Sequence, residues 1–295
     1  MSKALRIVVA LAAVGLAIGG CRTASSSDVD ADEDYSERMS AEHENDKPVA
    51  TPQSSKRPER PIHTGDVIYA RIDGKEVRGY SARPAWIRAP VPGVIVIHEW
   101  WGLNDNVRAM ADQLAAAGYA ALAVDLYNGE AAVDRDGARA LMQRAMADPD
   151  VAEENLRQAH AHLRSTRAQR IGTIGWCFGG GWSLRSAIMM PSDIDATVIY
   201  YGRLVTDKEK LEPLETPILG IFGSEDRGIP MESVRAFESA LNDLGKDAAI
   251  HVYDGADHAF ANPSGTRYQK DAAEDAWQKT LAFFKEHLGG PGVSR

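Results

Sequence analysis

The chain has 295 residues with 44% hydrophobic and 25% charged residues, enough to bury a sizeable core in one large domain with sequence to spare at an end. Its net charge of -9 and the lack of any Lys/Arg run argue against nucleic acid as a partner and favour a small-molecule substrate. The two cysteines, Cys21 and Cys177, stand in unlike contexts and do not suggest a disulfide framework, so each needs its own explanation.

Residues 1–20 carry Lys3 and Arg6, an apolar run from Ile7 to Ile18, and Gly19-Gly20 directly before Cys21. This is the layout of a secretory signal, with an apolar run too short to span a bilayer comfortably. Small residues before a cysteine resemble the lipobox of bacterial lipoproteins, which implies cleavage before Cys21 and its acylation. Arg22 in place of an aspartate implies the outer membrane, facing the periplasm. Residues 21–62 are rich in Ser, Asp, Glu and Pro with almost no apolar periodicity, and are expected to form a disordered acidic tether. Its carboxylates from Asp28 to Asp34 are expected to be solvated.

From Gly65 onward, short β-rich runs alternate with amphipathic helical stretches, the pattern of an α/β domain with a mostly parallel sheet covered on both faces. That domain is expected over residues 63–290, with 291–295 a disordered tail. Asp66–Ile72 and Lys75–Ala82, joined at Asp73-Gly74, predict an opening hairpin. Later strands are predicted at Gly93–His98, Ala120–Asp125, Ile171–Trp176, Ala196–Tyr201, Pro217–Phe222 and Ala249–Tyr253. Helices are predicted near Asn104–Ala117, Val133–Arg167, Gly179–Met190, Met231–Leu244 and Gln269–His287.

Gly175-Trp176-Cys177-Phe178-Gly179, between a strand and a helix, is a G-x-C-x-G version of the nucleophile elbow. The sharp turn needs a strained backbone at the nucleophile and glycines two residues to either side, and it sets the sulfur at a helix N-terminus that favours thiolate. Nucleophile, acid and base follow in that order along such chains, which nominates Asp226 after one strand and His258 after the next. Glu225, Asp254 and Asp257 compete as turn formers close by. The backbone N–H groups of Phe178 and Trp100 are the expected oxyanion hole, and Trp100 and Trp101 either line the pocket or pack.

Val96-Ile-His-Glu-Trp-Trp-Gly-Leu-Asn104, Asp125-Leu-Tyr127, Gly175-Trp-Cys-Phe-Gly-Gly180, Asp226 and Asp257-His-Ala-Phe260 together resemble the dienelactone hydrolase family, from about Gly65 to about Leu288. The resemblance implies an α/β-hydrolase fold and a triad of Cys177, His258 and Asp226 that works through a thioester on small lactones or esters, with no cofactor and no metal. It also implies that Glu99 holds the resting thiol and takes its proton. The family's two substrate-gripping arginines are missing where this chain reads Tyr127-Asn128-Gly129 and Phe260-Ala261-Asn262, leaving Arg203, Arg227 and Arg267 as substitutes. The other readings are an anchored binding protein with a silent site, and an acyltransferase that passes the thioester to an acceptor other than water.

Overall fold

A computed structural model describes residues 26–49, 51 and 58–289. Eight strands form one sheet in the order β1-β2-β4-β3-β5-β6-β7-β8. Strands β1 (Ile62–Ile72) and β2 (Lys75–Pro84) pair antiparallel as the expected hairpin, and β2 runs antiparallel to β4 (Ala120–Ala123). From β4 onward every pairing is parallel, through β3 (Gly93–Ile97), β5 (Ile171–Trp176), β6 (Ala196–Tyr200), β7 (Ile218–Gly223) and β8 (Ala248–Tyr253). Strands β3, β5, β6 and β7 are buried along their whole length, which is why they read as continuous apolar runs rather than alternating ones.

Helices α2 (Asp105–Ala117), α3 (Arg135–Ala147), α4 (Pro149–Ser165), α5 (Phe178–Met189), α7 (Met231–Asp243) and α8 (Lys270–His287) connect or close the sheet, with a single turn α6 (Lys208–Leu211) between β6 and β7. Asn104 caps α2 by accepting from Val107 N, and Gly118 ends it in the left-handed region at φ 110°. The single helix expected over Val133–Arg167 is two helices. Asp148 leaves helical geometry and Pro149, which has no N–H to donate into a preceding turn, opens the second.

The larger departure precedes the domain. Within the stretch expected to be disordered, α1 (Ser26–Glu42) is helical and residues 32–49 lie against the carboxyl ends of the strands. Composition hid the reason: Tyr35, Met39 and His43 are spaced by four, so they form one stripe along the helix and its last turn, and all three are buried. The remaining side chains between Asp32 and Glu44 are mostly charged, so a composition argument sees only the solvated face. The signal peptide, Cys21 and the 291–295 tail lie outside the described residues. No described helix is long and apolar enough to cross a membrane.

Candidate active site

The carboxyl ends of the parallel strands bring the nominated residues together, as expected where neighbouring crossovers leave a crevice. Cys177 joins β5 to α5 at φ 54° and ψ -119°, a conformation non-glycine residues rarely adopt, and its N–H is held by Tyr200 O at 3.0 Å. The flanking glycines are required by contact: a Cβ on Gly175 would lie 2.0 Å from Gly179 O, and one on Gly179 would lie 2.4 Å from Ile97 O. The elbow is therefore pressed into the end of β3, and its sulfur is fully buried.

Asp226 follows β7 and His258 follows β8. His258 Nδ1 donates to Asp226 Oδ2 at 2.8 Å, and the other oxygen, Oδ1, accepts from Ile229 N at 2.7 Å. Both side chains are fully buried. Burial disfavours an imidazolium, yet the charges of Asp226 and Cys177 outweigh it and hold His258 well above its ordinary range. The Nε2 of His258 has no hydrogen-bond partner, and a ring nitrogen of His258 lies within 4.8 Å of Cys177 Sγ. Burial likewise opposes the Cys177 thiolate, but the neighbouring imidazoles, His258 foremost and then His43, bring the thiol down to about 6. Of the acidic competitors, Asp257 accepts from His258 N at 2.7 Å, and Asp254 accepts from the Ser224 hydroxyl at 3.3 Å. Only Asp226 bonds the ring.

Glu99 sits at the end of β3, buried, with Oε2 accepting from Asn262 Nδ2 at 2.7 Å and Oε1 without a partner. Burial, reinforced by the negative charge of Cys177, pushes its carboxyl up to about 8, so it is protonated at neutral pH. The sulfur's own neighbours are others: Met39 Sδ and His43 Nε2, each at 3.7 Å. The expectation that Glu99 holds the resting thiol thus meets a site in which an imidazole from the preceding segment has that contact. Phe178 opens α5 directly after the nucleophile and Trp100 follows Glu99, the two expected oxyanion positions; the indole of Trp100 is spent on stacking against His43 at 4.6 Å.

His98, directly after β3 and before Glu99, is architectural. Its Nδ1 donates to Glu99 O at 2.6 Å and its Nε2 accepts from Leu126 N at 3.1 Å, tying the end of β3 to the turn after β4. Asp125 caps that turn through Tyr127 N at 2.8 Å. Asn155 and Tyr69, bonded to each other at 2.6 Å, hold the Asp125 carbonyl from below.

Sequence reasoning missed Met39, His43, Asp46 and Asn262. Asn262 occupies the stretch where an arginine was expected, and it holds Glu99 instead of a substrate. His43 donates through Nδ1 to Asp46 Oδ2 at 2.8 Å, while Asp46 Oδ1 accepts from Thr266 N at 2.7 Å and Thr266 Oγ1 at 2.8 Å. These bonds hold the Asp46 carboxyl far below the usual carboxylate range against the effect of burial. Two of the candidate arginines are engaged by the same segment: Arg203 with Asp32, and Arg267 with Glu42 at 2.6 Å and Asp46 at 3.6 Å. His43, Cys177 and His258 each offer one donor atom, a ring nitrogen or the sulfur, within 4.8 Å of the others, a donor set that a divalent ion such as zinc would suit.

Fold and site together define an α/β-hydrolase: a mostly parallel sheet, a strained nucleophile on the elbow between strand and helix, and a buried histidine–carboxylate pair beyond the ends of β7 and β8. Within that class the chain belongs to the Dienelactone hydrolase family, which it matches over residues 77–288. It is an enzyme of the lactone and ester hydrolase type. Protein usf of Aquifex pyrophilus is 35% identical over 76% of this chain and 99% of its own length. An Escherichia coli protein bearing the name carboxymethylenebutenolidase is 32% identical over 82% of this chain and 95% of its own. Among solved structures, one described as a dienelactone hydrolase from Klebsiella pneumoniae superposes with a TM-score of 0.71 at 28% identity, over 77% of this chain and 100% of its own.

Proposed function

We propose that the protein hydrolyses small lactones or carboxylic esters through a thioester on Cys177, with His258 as base and acid and Asp226 as the group that orients it. The observation that carries this reading is the buried pair of His258 and Asp226 at 2.8 Å, with the His258 ring set within 4.8 Å of a sulfur on a strained elbow. The thiolate adds to the carbonyl carbon, and the resulting oxyanion falls where the N–H groups of Phe178 and Trp100 are expected. As the carbon–oxygen bond to the leaving group breaks, His258 gives that oxygen its proton; for a lactone the leaving alkoxide stays on the same molecule. Water then adds to the thioester, His258 takes its proton, and the thiolate leaves with the carboxylic acid as product.

The Glu99 carboxyl, pushed up to about 8 by burial, holds its own proton over most of the neutral range, which argues against it as the acceptor of the thiol proton in the resting site. The thiol proton passes instead to His258, whose basicity the Asp226 carboxylate raises well above the ordinary range. We further propose that Cys21 carries a lipid that keeps the enzyme on the outer membrane facing the periplasm, on the residue pattern before it. Mass spectrometry of the mature N-terminus tests that anchor, and an unmodified Cys21 refutes it. For the chemistry, full-length protein is assayed on a panel of aryl esters and lactones. Turnover that Cys177→Ala abolishes without loss of fold is expected. Equal inertness of the wild type and Cys177→Ala, with the preceding segment both seated and displaced, refutes it.

A further inference from the structure

Cys177 and His258 are completely buried, and what buries them on the open side of the sheet is not the hydrolase domain. Met39 lies on the sulfur at 3.7 Å. The His43 ring fills the space between Trp100, at 4.6 Å and nearly parallel, and His258, at 5.3 Å and nearly perpendicular. Tyr35 is buried further along the same stripe with the Arg203 guanidinium over its ring at 5.1 Å. An acyl group that reacts with Cys177 must reach its sulfur from the side these three residues occupy. They hold the place of a substrate.

The fit is built rather than casual. Met39 packs so closely on the loop between Asp226 and Ile229 that a Cβ at Gly228 would lie 2.2 Å from its methyl carbon. His43 has its own buried carboxylate, and that carboxylate is in turn held by Thr266 and Arg267. Polar side chains this deep are costly unless every partner is in place, so a segment that merely lay over the domain would not carry a buried histidine–aspartate pair. Yet the outer ties are surface ion pairs: Asp32 with Arg203, and Glu37 with Arg139 at 3.3 Å. Ties of this kind contribute about 0–1 kcal/mol each, and the segment supplies no strand to the sheet. It is therefore the part of the chain that can leave while the rest stays folded.

We propose that residues 32–49 are an intramolecular cap that occupies the active site, with His43, set by Asp46, as the group that closes over Cys177, and that the cap must withdraw before substrate can bind. Closed, it shields a sulfur that two imidazoles hold as thiolate from oxidants that would consume it. Open, it releases Arg203 and Arg267 from the cap's carboxylates. The inference rests on the proposed thiol chemistry only for its activity arm.

The test uses the full chain in wild-type form and as Met39→Asp and His43→Ala, the first unseating the stripe by burying a charge against the sulfur, the second removing the ring on it. Alkylation of Cys177 by iodoacetamide and turnover of an aryl ester are followed at one neutral pH, with a chelator present so that an ion trapped between His43, Cys177 and His258 does not act as a cap. Both variants are expected to alkylate faster than wild type and to gain kcat/KM, each by at least about tenfold, the factor that 1.4 kcal/mol of lost closure gives. Unchanged alkylation in both variants overturns the cap whatever the activity does. Faster alkylation with slower turnover also overturns it, because His43 would then be working in the reaction and not against it. Faster alkylation with no turnover in any form leaves the cap standing and removes the hydrolase reading.

Discussion

Replacing Gly179 by alanine tests whether the nucleophile elbow is held by backbone contact with β3. The added Cβ would lie 2.4 Å from Ile97 O, 2.5 Å from His98 O and 2.8 Å from Ile97 C, all main-chain atoms of the strand end with no flexible side chain to give way. Restoring ordinary contact requires the elbow to move by roughly 1 Å, and forced overpacking of this kind costs about 1–3 kcal/mol, here at the upper end. For a domain of this size about 3 kcal/mol lowers the melting temperature by roughly 6–12 °C. A displacement of about 1 Å at a reacting atom also costs on the order of a hundredfold in rate. Gly65→Ala is the control, since a Cβ there meets nothing within 4 Å. Thermal unfolding and aryl ester turnover of both variants are measured side by side. If Gly179→Ala melts and turns over like Gly65→Ala, the elbow is not held as described.

Glu99→Gln addresses the buried carboxyl. Because burial raises its pKa from 4.5 to about 8, the folded protein keeps a proton that the unfolded chain releases above pH 4.5. The stability this proton gives is complete below that pH and is lost as pH rises through 8. Glutamine needs no proton, so the melting temperature of the variant relative to wild type should climb between pH 5 and pH 8.5; a constant difference would show that Glu99 is ionised throughout. Asp226→Asn removes the charge that holds His258 and should lower kcat/KM on the order of 10³–10⁴-fold with the fold intact, as read by steady-state kinetics and circular dichroism. Asn155→Ala removes the short bond from the Tyr69 hydroxyl and one of the two bonds to the Asp125 carbonyl, leaving Tyr69 paired with the Asp125 backbone alone, and should cost about 1–3 kcal/mol in denaturant unfolding.

Much of the catalytic domain was legible because burial on both faces writes strands as unbroken apolar runs, and because the elbow needs glycines at fixed offsets. Cys177, Asp226 and His258 follow from where those strands stop. Boundaries that depend on a single residue's geometry were harder: Asp148 and Pro149 divide what periodicity alone reads as one helix. Pairings across long sequence separations were not legible at all. Nothing local announces that Asn262 will hold Glu99, or that His43 will stack on Trp100, because each partner is polar or aromatic and stands in unremarkable surroundings. The capping segment was hidden for a related reason. Its three buried residues are a minority in a charged stretch, and their spacing by four means little until a surface exists for the stripe to meet.

The proposed chemistry requires an acyl group to pass through Cys177. The direct measurement is intact-protein and peptide mass spectrometry after brief exposure of the full chain, capped and as Met39→Asp, to an aryl ester whose acyl group leaves slowly. A mass gain equal to that acyl group is predicted on the peptide holding Cys177, larger in Met39→Asp, removed by hydroxylamine and absent in Cys177→Ala. Ester turnover that persists in Cys177→Ala with no adduct on any form would contradict it.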